Sequence, residues 1–140
     1  MEFRNLLVPV DFSESNQNAI EAAVRLAKKD DGTLTLLHVI ETLAAFTFEE
    51  ERDFYERLER RARSSMEELA EPIDLPPDRV GLEIVYGRRA VEVVSYAERE
   101  GTDLIVLSSH RVDPENPADN WATLSYSIAV LAQCPVLLVK

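Results

Sequence analysis

The apolar residues of this chain fall into short, nearly continuous runs that are separated by amphipathic stretches. Five runs are rich in branched and aromatic residues: FRNLLVPV, TLTLLHVI, RVGLEIVYG, TDLIVLS and PVLLVK. Runs of this length and character are typical of strands buried on both faces, as in a parallel sheet. Between the first two runs, Ile20, Ala23, Val24 and Ala27 recur at the spacing of one helix face, which predicts a helix there.

Strands that alternate with helices predict βαβ units, which assemble into a parallel sheet with helices on both faces. The sequence therefore predicts a single α/β domain over residues 1–140, with a doubly wound, five-stranded parallel sheet. Leu34, Leu36, Ile105 and Val106 are expected to lie in its core because they sit in the middle of predicted strands.

The predicted helix between the second and third strands is long and carries an apolar stripe through otherwise charged sequence. The stripe consists of Phe54, Leu58, Ala62, Met66 and Leu69. We expect this helix to be the most exposed one, and the LAAFTF segment before it to be mobile or to fold over the mouth of a crevice. The final helix is predicted to use Leu124, Ile128 and Leu131 as its apolar positions.

Candidate ligand positions follow from the fold, since ligands of parallel sheets bind beyond the carboxyl ends of the strands, where the strand order reverses. The residues that follow strands are Asp11, residues 38–40, Gly87 and residues 108–111. Asp11 is either a pocket residue or the carboxylate of a local Asx turn before a helix that Ser13 or Ser15 can cap. His38 is expected to be a hydrogen-bonded histidine at the rim of the core.

The chain is strongly acidic, with a formal net charge of -11 at pH 7. One arginine cluster (Arg57, Arg60, Arg61 and Arg63) is interleaved with glutamates, which predicts a solvated helix face. Because no basic stripe offsets the acidic residues, binding to nucleic acid is not expected. The sequence leaves two roles for Arg88 and Arg89, since they either face the crevice or begin an exposed helix.

The sequence contains no recognisable catalytic or metal-binding constellation. Two histidines and one cysteine cannot form a closed zinc site by themselves, and Cys134 is expected to be a structural thiol. We therefore predict no metal, no catalytic residues and no enzymatic activity. No apolar run approaches the ~20 residues that span a bilayer, and the first residues do not resemble a signal peptide, so we expect a cytoplasmic protein without membrane contacts.

Four segments together resemble the universal stress protein family over the whole chain: NLLVPVDFSESNQNAIEAAVRLA, LTLLHVIE, DLIVLSSHR and LSYSIAVLAQCPVLLVK. The resemblance implies the strand order 3-2-1-4-5, which reverses between strands 1 and 4. Asp11 and the loop that begins at Ser108 would then share one crevice. It also implies a non-catalytic role in the stress response, exerted through association with a protein partner that the sequence does not identify.

One group of the family binds ATP through a motif of two glycines, a nine-residue spacer and Gly-Ser or Gly-Thr, whereas the other group lacks it. The adenine and ribose side of that site corresponds here to Pro9, Val10, Asp11 and Val39. The phosphate side does not match the motif. Ser108 and Arg111 replace the two glycines, and His110 lies between them. The spacer then has ten residues, and Ala122 and Thr123 replace the final pair. This chain therefore resembles the group without the motif.

The loop after strand 4 is predicted to be a degenerate nucleotide site. Side chains at Ser108 and Arg111 disfavour left-handed backbone, and Pro114 and Pro117 remove N–H donors that would contact phosphates. We therefore expect no cofactor and no tight binding of ATP. Two alternatives remain. The first is a sensor that binds ATP or AMP, with Mg²⁺, through altered phosphate contacts such as Arg111, and hydrolyses the nucleotide slowly at most. The second is a site for another small anion.

The last predicted strand is Val136, Leu137, Leu138 and Val139, which the family order places at an edge of the sheet. An uncovered apolar edge invites pairing with another strand. The resemblance implies a homodimer in which the two last strands pair in antiparallel orientation about a two-fold axis.

Overall fold

A computed structural model of the protein describes residues 1–42, 48–109, 115 and 124–140, and the side chains of residues 48–50 lie outside this description. The strands are β1 (Asn5–Pro9), β2 (Thr33–Glu41), β3 (Val80–Gly87), β4 (Leu104–Ser108) and β5 (Val136–Val139). The α-helices are α1 (Asn16–Lys29), α2 (Phe48–Ala70), α3 (Arg89–Arg99) and α4 (Leu124–Leu131), and a short 3₁₀ helix, Pro77–Arg79, precedes β3.

The five strands form one parallel sheet in the order β3-β2-β1-β4-β5, which confirms the predicted fold and strand order. The central strand β1 pairs with β2 from Asn5↔Thr33 onward, and with β4 from Leu6↔Leu104 onward. The order reverses between β1 and β4, so the carboxyl ends of these two strands open the crevice expected of a doubly wound sheet.

Two apolar layers cover the sheet because successive side chains of each strand point to opposite faces. Leu6 and Val8 pack with Leu34 and Leu36 against α1 and α2, whereas Leu7 packs with residues of the opposite layer, which α3 and α4 cover. The four predicted core residues, Leu34, Leu36, Ile105 and Val106, are completely buried, which confirms the sheet assignment.

Helix α2 buries only part of its predicted stripe. Ala62 and Met66 are buried against the sheet, but Phe54 is 46% exposed. The charged face carries i,i+4 ion pairs such as Arg63–Glu59, in agreement with a solvated surface. Residues 43–47, most of the LAAFTF segment, lie outside the described residues, so the expectation for that segment stays a prediction.

Helix α4 corrects one expectation from the sequence. Ile128 is completely buried and Leu124 is half-buried, but Leu131 is 49% exposed. Leu131 is the last residue of this helix, and β5 begins at Val136, on the edge of the sheet. No helix among the described residues is both long enough and apolar enough to cross a membrane.

Candidate functional site

The carboxyl ends of β1, β2 and β4 form a crevice with the first residues of α1 and α3. Its lining consists of Pro9, Val10, Asp11, Asn16, Leu37, Val39, Arg89, Val93, Leu107, Ser108, Leu124 and Ser125. The structure thus brings together Pro9, Val10, Asp11, Val39 and Ser108 from the positions that the sequence singled out. His110, Arg111, Ala122 and Thr123 lie outside the described residues, so their contribution stays a prediction.

Asp11 forms the local turn that the sequence offered as one of two roles. Its carboxylate accepts a hydrogen bond of 3.0 Å from the backbone N–H of Ser13, which is an Asx turn. Partial burial opposes ionisation, but the hydrogen bonds from Ser13 and the charge of Arg89 outweigh it and lower the pKa of Asp11 below its ordinary value. Asp11 is therefore an ionised carboxylate at the mouth of the crevice.

Asn16 links the two sides of the crevice and was missed at the level of sequence. Its side-chain oxygen accepts hydrogen bonds from the backbone N–H groups of Asp11 and Phe12, at 3.0 and 2.8 Å. Its amide nitrogen donates to the hydroxyl of Ser108 at 2.9 Å. Only 2% of Asn16 is exposed, so these bonds satisfy a polar side chain that is inside the protein.

The expectation that Ser13 or Ser15 caps α1 through its side chain is wrong. Ser15 occupies the N-cap position of α1, but its side chain makes no capping hydrogen bond. The hydroxyls of Ser13 and Ser15 instead bond to each other at 2.9 Å. Asn16, the first helical residue, folds back onto the preceding loop, where Phe12 has a φ of 68°. Because residues other than glycine rarely adopt this left-handed backbone conformation, the hydrogen bond from the Phe12 N–H to Asn16 helps to hold the loop.

His38 is a hydrogen-bonded residue at the rim of the core, as predicted. Its Nδ1 lies 2.8 Å from the carbonyl oxygen of Val10, so that nitrogen carries the proton and donates the bond. The imidazole also packs against the ring of Phe12, with 4.4 Å between ring centroids and an angle of 36° between the ring planes. These contacts fix the orientation of the ring.

Arg89 lines the crevice, which resolves the alternatives that the sequence left open for it. Its Nε lies 3.5 Å from a carboxylate oxygen of Glu41, and both side chains are about half exposed, at 46% and 56%. Gly87 makes this placement possible: it has a φ of 145°, and a Cβ there would lie only 2.6 Å from the Glu92 carboxylate. The chain therefore turns sharply from β3 into α3 and brings Arg89 to the ends of β1 and β2.

The crevice cavity is small in this conformation, at about 50 Å³. Pockets that enclose drug-sized ligands typically measure about 300–1,000 Å³, so this volume suits a few water molecules rather than an adenosine. A nucleotide would need more room than these described walls leave. Ser125 donates a hydrogen bond of 3.1 Å to the carbonyl of Ser108, and together with Asn16 it holds the β4 side of that wall.

The described residues hold no metal-ligand cluster, and the one cysteine is not activated. No group of three or more His, Cys, Asp or Glu residues suited to a metal occurs within the described ranges. Cys134 lies before β5, and burial raises the pKa of its thiol, which disfavours the reactive thiolate. The absence of enzymatic activity stays a prediction.

Apolar side chains are exposed along β5 and α4. Leu137 and Leu138 of β5 are 38% and 39% exposed, and β5 pairs only with β4 among the described strands. On α4, Tyr126 is 56% exposed and Val130 is 62% exposed, beside the exposed Leu131. We call the exposed Leu137 and Leu138 of this edge strand, together with the exposed Tyr126, Val130 and Leu131 of the preceding helix, the β5 surface.

The sequence matches the model of the universal stress protein family over residues 2–140. Universal stress protein YxiE of Bacillus subtilis is 26% identical over 148 aligned positions, which cover 99% of each chain. The structure of universal stress protein UspA from Lactobacillus plantarum superposes with a TM-score of 0.82 at 25% identity, and the match covers 100% of this chain and 99% of that one.

A more distant solved structure is that of a universal stress protein in complex with cAMP. It has a TM-score of 0.71 at 16% identity, with 100% of this chain and 98% of that chain covered. At this level of identity the similarity establishes a shared fold.

Proposed function

This chain belongs to the universal stress protein family, and on that premise we propose that it acts in the stress response without catalysis, as a cytoplasmic homodimer that associates with another protein. The observation that carries the proposal is the β5 surface. Two of its apolar side chains, Leu137 and Leu138, belong to an edge strand that no other strand of the described chain covers, and such an edge favours pairing with a second strand.

The backbone of β5 supports pairing between two copies. The N–H of Ile105 donates to the carbonyl of Pro135, and the N–H of Ser109 donates to the carbonyl of Val139. Alternate residues of a strand bond to the same neighbour, so the N–H of Leu138 points away from β4, toward the open edge. Two β5 strands related by a two-fold axis can bond there in antiparallel orientation and bury Leu137 and Leu138 of both copies.

Sedimentation equilibrium of the purified protein tests the dimer directly. The proposal expects the mass of two chains at micromolar concentration. The small crevice also agrees with a role that does not require nucleotide, because the described walls leave about 50 Å³. Association with another protein would then use the dimer, and its test is co-purification of the same partner with the wild-type protein but not with a monomeric variant.

A second candidate function is the binding of AMP or ATP through altered phosphate contacts. The observation that favours it is the convergence of Asp11, Val39 and Ser108 at the reversal of strand order, where doubly wound sheets bind nucleotides. The cAMP complex of a family member with the same fold adds support for an adenine nucleotide. Arg111 on the loop after β4 and Arg89 at the crevice are the cations that would face a phosphate.

Nucleotide content separates the two candidates. Ultraviolet absorbance of protein purified without added nucleotide reports any ligand that co-purifies, and titration calorimetry with AMP and with Mg-ATP gives the affinities. The first proposal expects no co-purified nucleotide and a Kd for Mg-ATP well above about 10 μM. Tighter binding that is lost in Asp11→Ala would favour the second.

A further inference from the structure

A second cavity lies between the carboxyl end of β2 and helix α2, with a volume of about 260 Å³. Its lining consists of Phe12, His38, Val39, Ile40, Glu41, Leu58, Arg61, Ala62, Ser65 and Arg89. His38 and Ile40 alternate with Leu37 and Val39, so they point to the sheet face that α1 and α2 cover. We call it the α2 cavity; it adjoins the crevice at Val39 and Arg89 but opens on the α2 side.

Two guanidinium groups reach the α2 cavity, although acidic residues outnumber basic ones by 26 to 15 in the chain. Arg61 comes from α2, and no carboxylate within the described ranges forms an ion pair with it. Arg89 contacts Glu41 through Nε, which leaves its terminal nitrogens for another acceptor. Glu41 is the one acid in the lining, and Arg89 also acts on the nearby Asp11, so Arg61 is the guanidinium of the cavity that no described carboxylate pairs with.

The walls of the α2 cavity are apolar below this cationic rim. The Phe12 ring packs against His38 with 4.4 Å between ring centroids, and Ala62 is 3% exposed. Leu58 and Ile40 complete the apolar lining. Guanidinium groups bind carboxylates and phosphates through two parallel hydrogen bonds, whereas an apolar wall favours a hydrocarbon portion next to the anionic group.

We propose that the α2 cavity binds a small organic anion, with its carboxylate or phosphate group held by Arg61 and Arg89 and its apolar portion against Phe12, Leu58 and Ala62. The volume suits a ligand of about the size of one substituted ring. The site is independent of the homodimer, because none of its lining belongs to the β5 surface. It shares Val39 and Arg89 with the crevice, so Arg61, which lines only the α2 cavity, distinguishes this site from a nucleotide site.

Titration calorimetry with phenyl phosphate, benzoate and inorganic phosphate tests the site on the full-length protein. The variants are Arg61→Gln and Arg89→Gln, and Arg60→Gln is the matched control, because it removes the same charge from the adjacent residue of α2, which lines a different surface depression. We expect at least one aromatic anion to bind more tightly than inorganic phosphate. Arg61→Gln should weaken that binding about tenfold or more, and Arg60→Gln less than about twofold.

The comparison of phenyl phosphate with benzoate shows which anionic group the site prefers. Three results would overturn the proposal: no binding of either aromatic anion at concentrations up to about 10 mM, equal weakening by Arg60→Gln and Arg61→Gln, or inorganic phosphate binding as tightly as the aromatic anions. The second result would indicate general attraction by the helix surface, and the third would show that the apolar walls contribute nothing. Circular dichroism establishes that each variant is folded.

Discussion

The side-chain amide of Asn16 donates a hydrogen bond of 2.9 Å to the hydroxyl of Ser108, across the point where the strand order of the sheet reverses. The same side chain accepts hydrogen bonds from the backbone of Asp11 and Phe12. Asn16 therefore joins the loop after β1 to the end of β4, and it fixes the distance between the two walls of the crevice.

Replacement of Asn16 should destabilise the protein considerably. Asn16→Ala leaves two backbone N–H groups without their acceptor and removes the bond to Ser108, which predicts a loss of about 2–4 kcal/mol in the free energy of unfolding. Ser108→Ala removes one of these bonds and should cost about 1 kcal/mol. Urea denaturation measures both values, and similar small losses for the two variants would contradict the linking role of Asn16.

Asp11 should stabilise the folded protein in a pH-dependent manner. Its pKa is lower in the folded state than the ordinary value of 3.8, so its contribution is present above that value and is lost as pH falls through the folded pKa. We therefore expect Asp11→Asn to be less stable than wild type at pH 7, by a margin that shrinks in acid. Thermal unfolding across this range measures the margin, with the exposed Glu14→Gln as control. A margin that stays constant would refute the prediction.

Tyr86 should titrate at an unusually high pH. Partial burial, a 2.7 Å hydrogen bond from its hydroxyl to Glu59, and the charges of Glu59 and Glu56 raise the pKa of Tyr86 from 10.0 to about 12. Glu59→Gln should bring this pKa down but keep it above 10.0, because the contribution of burial remains. Ultraviolet titration of phenolate absorbance, with Tyr86→Phe to identify the signal, measures it. The prediction fails if Glu59→Gln leaves the pKa unchanged.

Two residues of α4 should respond differently to truncation. Ile128 is completely buried, so Ile128→Ala should lower the free energy of unfolding by about 2–5 kcal/mol. Leu131 is 49% exposed, so under conditions where the protein is monomeric Leu131→Ala should cost less than about 1 kcal/mol. Denaturation at low protein concentration makes the comparison, and equal costs would show that Leu131 is buried within the single chain.

The sequence predicts the sheet because its evidence is repeated along the chain. Five apolar runs and the helices between them specify a parallel sheet, and the family resemblance supplied the strand order that the structure confirms. Each of these signals rests on many residues. An error at one residue, such as the expectation that Leu131 is an apolar core position, therefore leaves the fold unchanged.

The details of the site depend on side-chain directions, which a pattern of residue types does not specify. Ser15 has the residue type of a helix cap, but Asn16 makes the hydrogen bonds. The sequence could not reveal this, because Ser108 comes close to Asn16 only in the folded chain. Arg89 has no periodic signature, and the turn at Gly87 determines that it reaches the crevice. Asp11 and Val39 could be placed from the sequence because strand ends are defined by the sheet itself.

Sedimentation equilibrium of wild type, Leu138→Ala and Leu138→Pro tests the central claim most directly. Proline removes the N–H of Leu138, which points away from β4, and so blocks pairing at the open edge without removing a bond within the sheet. Leu138→Ala keeps that N–H and should retain a weakened dimer. We predict the mass of two chains for wild type and a folded single chain for Leu138→Pro. A wild-type protein that is monomeric at micromolar concentration would contradict the proposed dimer, and so would a Leu138→Pro dimer as stable as that of wild type.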